Sequence, residues 1–192
     1  KPAIHAESVF GLPELFRDRI RTARVIGNPG CYPTCASLGL FPALRLGLAK
    51  PEGIIIDAKS GVTGAGREPT RSTHYPETAD SLSPYKIGVH RHGPEIGVIL
   101  ATMAGMPVEA LFTPHLAPMG RGIVSTNYVM LSKSIIALEL RAAYEEFYGK
   151  EPFVRVLPEG MVATNRTVRF SNYCDISLHV VQGGKRAVIV SA

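Results

Sequence analysis

Apolar and polar positions alternate along this chain in short, sharply punctuated blocks. Ala23, Val25 and Ile26 form a small apolar run that ends at Asn28-Pro29-Gly30-Cys31-Tyr32-Pro33-Thr34. Beyond it Leu38, Phe41, Leu44 and Leu48 recur at helical spacing. The pattern predicts a strand end, a tight turn, and a helix from about residue 33 to residue 48. Pro42 interrupts that helix, and its ring opposes the carbonyl of Leu38, so a kink or two helical pieces is expected. Upstream, Phe10-Gly11-Leu12-Pro13-Glu14-Leu15 reads as a turn and a short helix. Gly53-Ile54-Ile55-Ile56-Asp57-Ala58 reads as a buried strand. Lys86-Ile87-Gly88-Val89-His90 is strand-like and leads into an apolar helix with Pro94 in its first turn and an end near Gly105.

Residues 123 to 131 read as a long strand. Ser132 or Ser134 is expected to cap a helix through Tyr148. A short strand is expected over residues 153–157, and another over 166–170. Residues 175–181 alternate properly and pair across Gln182-Gly183-Gly184-Lys185 with 186–190 as a hairpin. The body is expected to be one α+β domain whose sheet is mixed and mainly antiparallel, with packed helices. The first two dozen residues belong to something else or bridge to it.

Composition sharpens this only in part. The chain has 192 residues, 45% hydrophobic and 19% charged, enough for one well-packed domain. No run approaches the length of a membrane span, and Lys1-Pro2-Ala3 does not open a signal peptide. The formal charge of +5 suits an anionic ligand. The basic residues form no dense block, so nucleic acid is not the expected partner. Cys31, Cys35 and Cys174 are too few and odd in number for a secreted disulfide framework, and no histidine cluster completes a zinc set, so no metal is expected. The strand-like Ala187-Val188-Ile189-Val190 runs almost to Ala192, which reads as a fragment or an excised domain.

Three stretches carry chemistry. Cys31 sits where a strand turns into a helix, beside first-turn N–H groups and the positive end of the dipole, a setting that favours a reactive thiolate. The competing reading is a buried structural cysteine. Lys59-Ser60-Gly61-Val62-Thr63-Gly64-Ala65-Gly66-Arg67 follows a strand, and its glycines are expected to bare amides for an anion nest, with Ser60, Thr63 and Arg67 as further donors. It is neither a P-loop nor a Rossmann fingerprint, and a flexible surface loop is the alternative. Residues 68–85 are polar and irregular, as active-site or interface loops often are. His90, Arg91 and His92 mark a second strand-to-helix junction, where a histidine can carry a proton or merely cap the turn. Arg121, between prolines and glycines, is a further candidate for an anionic group.

Together these motifs resemble the N-acetyl-gamma-glutamyl-phosphate reductase family. Phe10-Gly11-Leu12-Pro13-Glu14-Leu15 is similar to its Tyr-Gly-Leu-Pro-Glu-Leu segment. Asn28-Pro29-Gly30-Cys31-Tyr32-Pro33-Thr34 matches its cysteine motif residue for residue. The glycine loop is similar. His90-Arg91-His92-Gly93-Pro94-Glu95-Ile96 matches its histidine motif except that Gly93 stands where Thr is usual. Thr113-Pro114-His115-Leu116-Ala117-Pro118-Met119-Gly120-Arg121-Gly122 is similar to a further family segment.

The resemblance implies a glyceraldehyde-3-phosphate dehydrogenase-like catalytic and oligomerisation domain over residues 28–192. Residues 1–27 would be the tail of an NADP-binding domain in a longer protein. It implies a cytoplasmic enzyme of arginine biosynthesis that reduces N-acetylglutamyl 5-phosphate to the semialdehyde and releases phosphate, through a thioester on Cys31. His92, with His90 as the alternative, takes the acid–base role. Asn28, Ser60, Arg67, His90, Arg91 and Arg121 are implied at the substrate and its phosphate. Ser60, Gly61, Gly64 and Ala65 are implied at the NADP edge. The implied partners are the NADP-binding domain of the same protein and further copies of the chain. The rival readings are a related acyl-phosphate or semialdehyde dehydrogenase, including one acting on aminoadipyl substrates, and a non-catalytic binding or assembly domain.

Overall fold

The computed structural model describes residue 4 and residues 6–192, so the share of the expectation for residues 1–27 that falls on 1–3 and 5 lies outside the described residues. The chain opens with β1 (Ser8–Phe10), α1 (Pro13–Thr22) and β2 (Val25–Gly27). β1 and β2 form a two-stranded parallel sheet of their own. Pro13 occupies the first turn of α1, where its missing N–H costs nothing. Leu12 and Phe16 bury against Ile99, and so dock this unit on a later helix.

The turn at Asn28-Pro29-Gly30 leads into α2 (Cys31–Arg45). It is followed by β3 (Ile54–Ser60), α3 (Tyr75–Thr78), β4 (Ser83–Pro84), α4 (His92–Ala104), β5 (Ala110–Leu116) and β6 (Ile123–Met130). The chain then forms α5 (Ala137–Tyr148), β7 (Val154–Val156), α6 (Asn165–Val168), β8 (Cys174–Val181) and β9 (Arg186–Ser191). The main sheet runs in the order β4-β5-β3-β6-β9-β8-β7. β3–β5 and β7–β8 are parallel, whereas β4–β5, β3–β6, β6–β9 and β8–β9 are antiparallel. This is the mixed, mainly antiparallel α+β sheet that the patterning predicts.

α2 lies across β6 and β9 and packs against α4 and α5. Residues on every side of it are buried, from Tyr32 to Leu44, so its pattern is that of a core helix rather than an amphipathic one. Ile54, Ile56, Ala58, Val129 and Ile189 supply the sheet's side of that core. The opposite face is covered at one end, where Ala163 and Val168 pack on Val190. Elsewhere it stays open. Ile55, in register with both Leu111 and Tyr128, is exposed with them, and Met130 continues the row.

Four expectations need correction. Pro42 does not divide α2, which continues as one element to Arg45. Proline removes the N–H that should reach the Leu38 carbonyl, and the buried hydroxyl of Tyr148 donates there instead (2.6 Å). Residues 86–89 form a turn, not a strand, with Lys86 at φ 45° and Gly88 at φ 71°. The place beside β5 is taken by β4, just upstream. Residues 166–170 are not a strand: they end α6 and turn at Phe170, φ 67°. The N-cap of α5 is Ile136, whose N–H is met by Glu139 Oε2 (3.2 Å), while Ser134 instead donates to the Gly183 carbonyl (2.9 Å). The C-terminal hairpin and the end of α4 at left-handed Gly105 are as expected.

Candidate active site

The site assembles where α2 and α4 begin. Cys31 is the first residue of α2, two positions earlier than the patterning placed the helix start, and its side chain is exposed. The first intrahelical bond of this turn runs from the Thr34 N–H to the Gly30 carbonyl (3.0 Å). The N–H groups of Cys31 and Tyr32 precede it and have no intrahelical acceptor, so they are placed to receive negative charge beside the sulfur. Cys35 and Cys174 differ sharply. Both are buried, and burial pushes the Cys35 thiol up to about 11 and the Cys174 thiol well above its ordinary range. Their thiols stay neutral and enclosed, and among the three cysteines Cys31 alone is exposed.

The start of α4 stands directly over this turn. A Cβ built on Gly30 would fall 2.3 Å from His92 Nε2, so only glycine lets the imidazole approach so closely. His92 is buried, and its Nδ1 has no hydrogen-bond partner among the described residues. Its N–H donates to His90 Nδ1 (3.1 Å), which fixes that nitrogen of His90 as an acceptor. Burial holds both histidines below their ordinary value. For His90 the charges of His92, Lys86 and Arg91 add to burial. For His92 the Glu95 carboxylate works against it. Glu95 also reaches across: its Oε1 accepts the Gly30 N–H (2.9 Å) and so ties the cysteine turn to the histidine helix. Tyr32 braces the group from below, edge-on to His90, His92 and Phe112. Its hydroxyl donates to the His115 carbonyl (3.3 Å) and accepts from Tyr85 (3.2 Å). Burial, with the Tyr85 bond, keeps that phenol protonated.

Two cavities meet at Cys31, Ser60 and Gly64, which line both. One, of ≈ 630 Å³, also takes in Ala65, His90, Arg91 and His92. The other, of ≈ 910 Å³, takes in Asn28, Gly61 and Arg121. Of the expected site residues, only Arg67 lies on neither, being exposed at the far end of its loop.

The anion nest is corrected. The N–H groups of Gly61, Val62 and Thr63 donate to the carbonyls of Gly122 (2.9 Å), Met119 (3.0 Å) and Gly120 (3.2 Å). Those of Gly64 and Gly66 are spent within the loop. A Cβ on Gly61 would meet Arg121 N and Gly120 O at 2.8 Å. These glycines therefore lock two loops together rather than expose amides. Tyr32, Tyr85, Lys86 and Glu95 are site residues that the sequence reading did not single out. For Glu95 alone a signal existed, an acid in the first turn of the histidine helix.

Residues 31–192 match the semialdehyde dehydrogenase dimerisation-domain family. The chain belongs to that family. An N-acetyl-gamma-glutamyl-phosphate reductase from Clostridium beijerinckii is 50% identical over 191 residues, covering 100% of this chain and 56% of the relative. Reductases of the same name from Symbiobacterium thermophilum (49% over 191 residues; 99% and 55% coverage) and Nitrosospira multiformis (50% over 190 residues; 99% and 55%) are similarly close. The chain thus spans a little over half the length of the curated relatives it matches. Among solved structures, aspartate semialdehyde dehydrogenase II from Vibrio cholerae superposes with a TM-score of 0.76 at 13% identity, over 97% of this chain and 62% of that one. The Francisella tularensis aspartate semialdehyde dehydrogenase gives 0.73 at 12%, over 96% and 65%. At that identity the likeness speaks for the family's fold alone.

Proposed function

We propose that the full-length protein reduces N-acetylglutamyl 5-phosphate to N-acetylglutamate 5-semialdehyde and releases phosphate, an NADPH-dependent step of arginine biosynthesis in the cytoplasm. The observation that carries this reading is the placement of the exposed Cys31 at a helix N-terminus, on two cavities, with His92 against the adjoining Gly30. The names of relatives near 50% identity supply the substrate.

In this reading the Cys31 thiolate attacks the acyl carbon, the C–O bond to phosphate breaks, and a thioester remains. The Cys31 and Tyr32 N–H groups face the oxygen that becomes negative. NADPH, when bound, supplies a hydride to the thioester carbon. His92 then holds the proton for the resulting oxygen and takes it back as the C–S bond breaks, which releases aldehyde and thiolate. His92 is preferred to His90 because its Nε2 abuts Gly30, whereas Nδ1 of His90 is engaged in holding the His92 backbone. Among the described residues the sheets form no dinucleotide fold. In this proposal the chain meets the reactive end of the cofactor: Ser60, Gly61 and Gly64 are small, and they line the larger cavity beside Cys31. The rest of the binding is assigned to a domain outside this chain, with residues 1–27 as its tail and 28–192 as the catalytic unit.

A second copy of the chain is the proposed cover for the open row of Ile55, Leu111, Tyr128 and Met130, in keeping with the dimerisation domain of the family. No helix among the described residues is long and apolar enough to cross a membrane.

The deciding experiment uses the full-length enzyme and follows NADPH consumption with N-acetylglutamyl phosphate. Alkylation of Cys31 should abolish turnover, the acyl phosphate should protect against it, and Cys31→Ala should be inactive. Full activity in Cys31→Ala would sink the covalent reading.

A further inference from the structure

Lys86 and Arg91 line the smaller cavity together with Cys31 and His92. Among the described residues neither cation has an ion-pair partner. Among the described residues Glu77 is the cavity's one carboxylate, so two cations face a single anion. Lys86 is also held in an uncommon conformation, at φ 45°, where a side-chain-bearing residue is disfavoured. Its turn is fixed at both ends. The Tyr85 N–H donates to the Pro114 carbonyl (3.1 Å), and the Val89 N–H donates to the Lys86 carbonyl (3.1 Å). A strained, unpaired cation presented by a fixed turn into a cavity is a feature that ligand binding explains.

The two cavities suit different parts of one substrate. The acyl part stays attached through both half-reactions, and the smaller cavity, with the hydroxyls of Thr70, Ser72 and Thr73 on its wall, has the room and the polar lining to take it. The leaving group needs an exit, and the larger cavity, which Arg121 lines, offers one.

We propose that Lys86 and Arg91 form a clamp for the α-carboxylate of the amino-acid substrate, in the smaller cavity, while the phosphate lies on the Arg121 side of Cys31. This rests on the reading above that the enzyme acts on an acylated amino-acid semialdehyde and its acyl phosphate. A cation pair of this kind makes charge-assisted bonds with a carboxylate. It selects substrates that carry the carboxylate over those that lack it.

The test runs the full-length enzyme in the oxidative direction, with NADP and phosphate. It compares kcat/KM for N-acetylglutamate semialdehyde with that for 4-acetamidobutanal, which lacks only the carboxylate. Lys86→Gly removes the ammonium and suits the left-handed backbone, so the turn is kept. The wild-type preference for the carboxylated aldehyde should fall by roughly 10- to 100-fold in this variant. Lys86→Arg should retain the preference. An unchanged preference in Lys86→Gly, or an equal loss on both aldehydes, overturns the clamp. A wild-type enzyme that favours another amino-acid semialdehyde corrects the substrate named above, and the same ratio, taken on that aldehyde and its decarboxylated analogue, still decides the clamp.

Discussion

Glu95 Oε1 accepts the N–H of Gly30 at 2.9 Å, and this single bond joins the turn that carries the thiol to the helix that carries the imidazole. The same carboxylate favours the charged form of His92. Glu95→Gln keeps an oxygen to accept the bond and removes the charge, so the two roles separate. With the carboxylate gone, His92 gives up its proton at lower pH. The acid limb of the kcat/KM profile for semialdehyde oxidation by the full-length enzyme should therefore move to lower pH, with the plateau rate largely retained. A limb that stays in place would show that Glu95 acts on His92 only through structure, or that another group sets the limb.

Gly30→Ala tests the contact between the two helices from the other side. The backbone there, φ −64°, accepts alanine, so the loss is steric and local: the new methyl enters the space of His92 Nε2. We expect kcat/KM of the full-length enzyme to fall by roughly 100-fold, as small displacements of catalytic groups do. The denaturation midpoint should move little by comparison.

Tyr148→Phe should cost about 1–3 kcal/mol in urea unfolding, because it leaves the buried Leu38 carbonyl without the donor that Pro42 cannot supply. Tyr144→Phe is the control. Its hydroxyl donates to the Gly39 carbonyl (2.7 Å), which the N–H of Ala43 can also reach within the helix. The loss there should be smaller, near the ~1 kcal/mol of one ordinary hydrogen bond.

Stability should also fall with acidification in a defined window. His90 and His92 are both held below their ordinary value, chiefly by burial. The unfolded chain takes up these protons near pH 6.5, whereas the folded protein takes them up at lower pH. Stability is thus fully present above about pH 6.5 and declines below it, as the unfolded state binds more protons. Denaturant melts at about pH 7.5 and about pH 5.5 read the difference, and a His90→Gln/His92→Gln double variant should reduce it.

Where the sequence spoke clearly, it did so through local signals. Gly30 and the prolines mark the α2 start, the isoleucine run marks β3, and Gln182-Gly183-Gly184-Lys185 marks the hairpin. It misled where the deciding partner lies far along the chain. The amides of the glycine loop looked free because the carbonyls that take them come from residues 119–122. Ile87 and Val89 alternate like a strand, yet they are 60% and 79% exposed, and Lys86 and Gly88 between them turn the backbone to positive φ. The candidate thiol was legible from its place where β2 gives way to α2, and the histidines from the proline-marked first turn of α4, although a turn and not a strand precedes them. Their mutual placement was not, since it depends on α2 and α4 packing side by side.

Cys31, Ser60 and Gly64 belong to both cavities, so the sulfur stands in a doorway rather than at the bottom of a pit. In the proposed reaction the acyl chain stays seated on one side of this doorway while traffic changes on the other. Phosphate departs and the reductant approaches through the same side, and so they must take turns. Gly64 guards the width of the passage: a Cβ there would come 2.9 Å from Ser60 Oγ. A side chain at that position would narrow the threshold itself and leave both rooms standing.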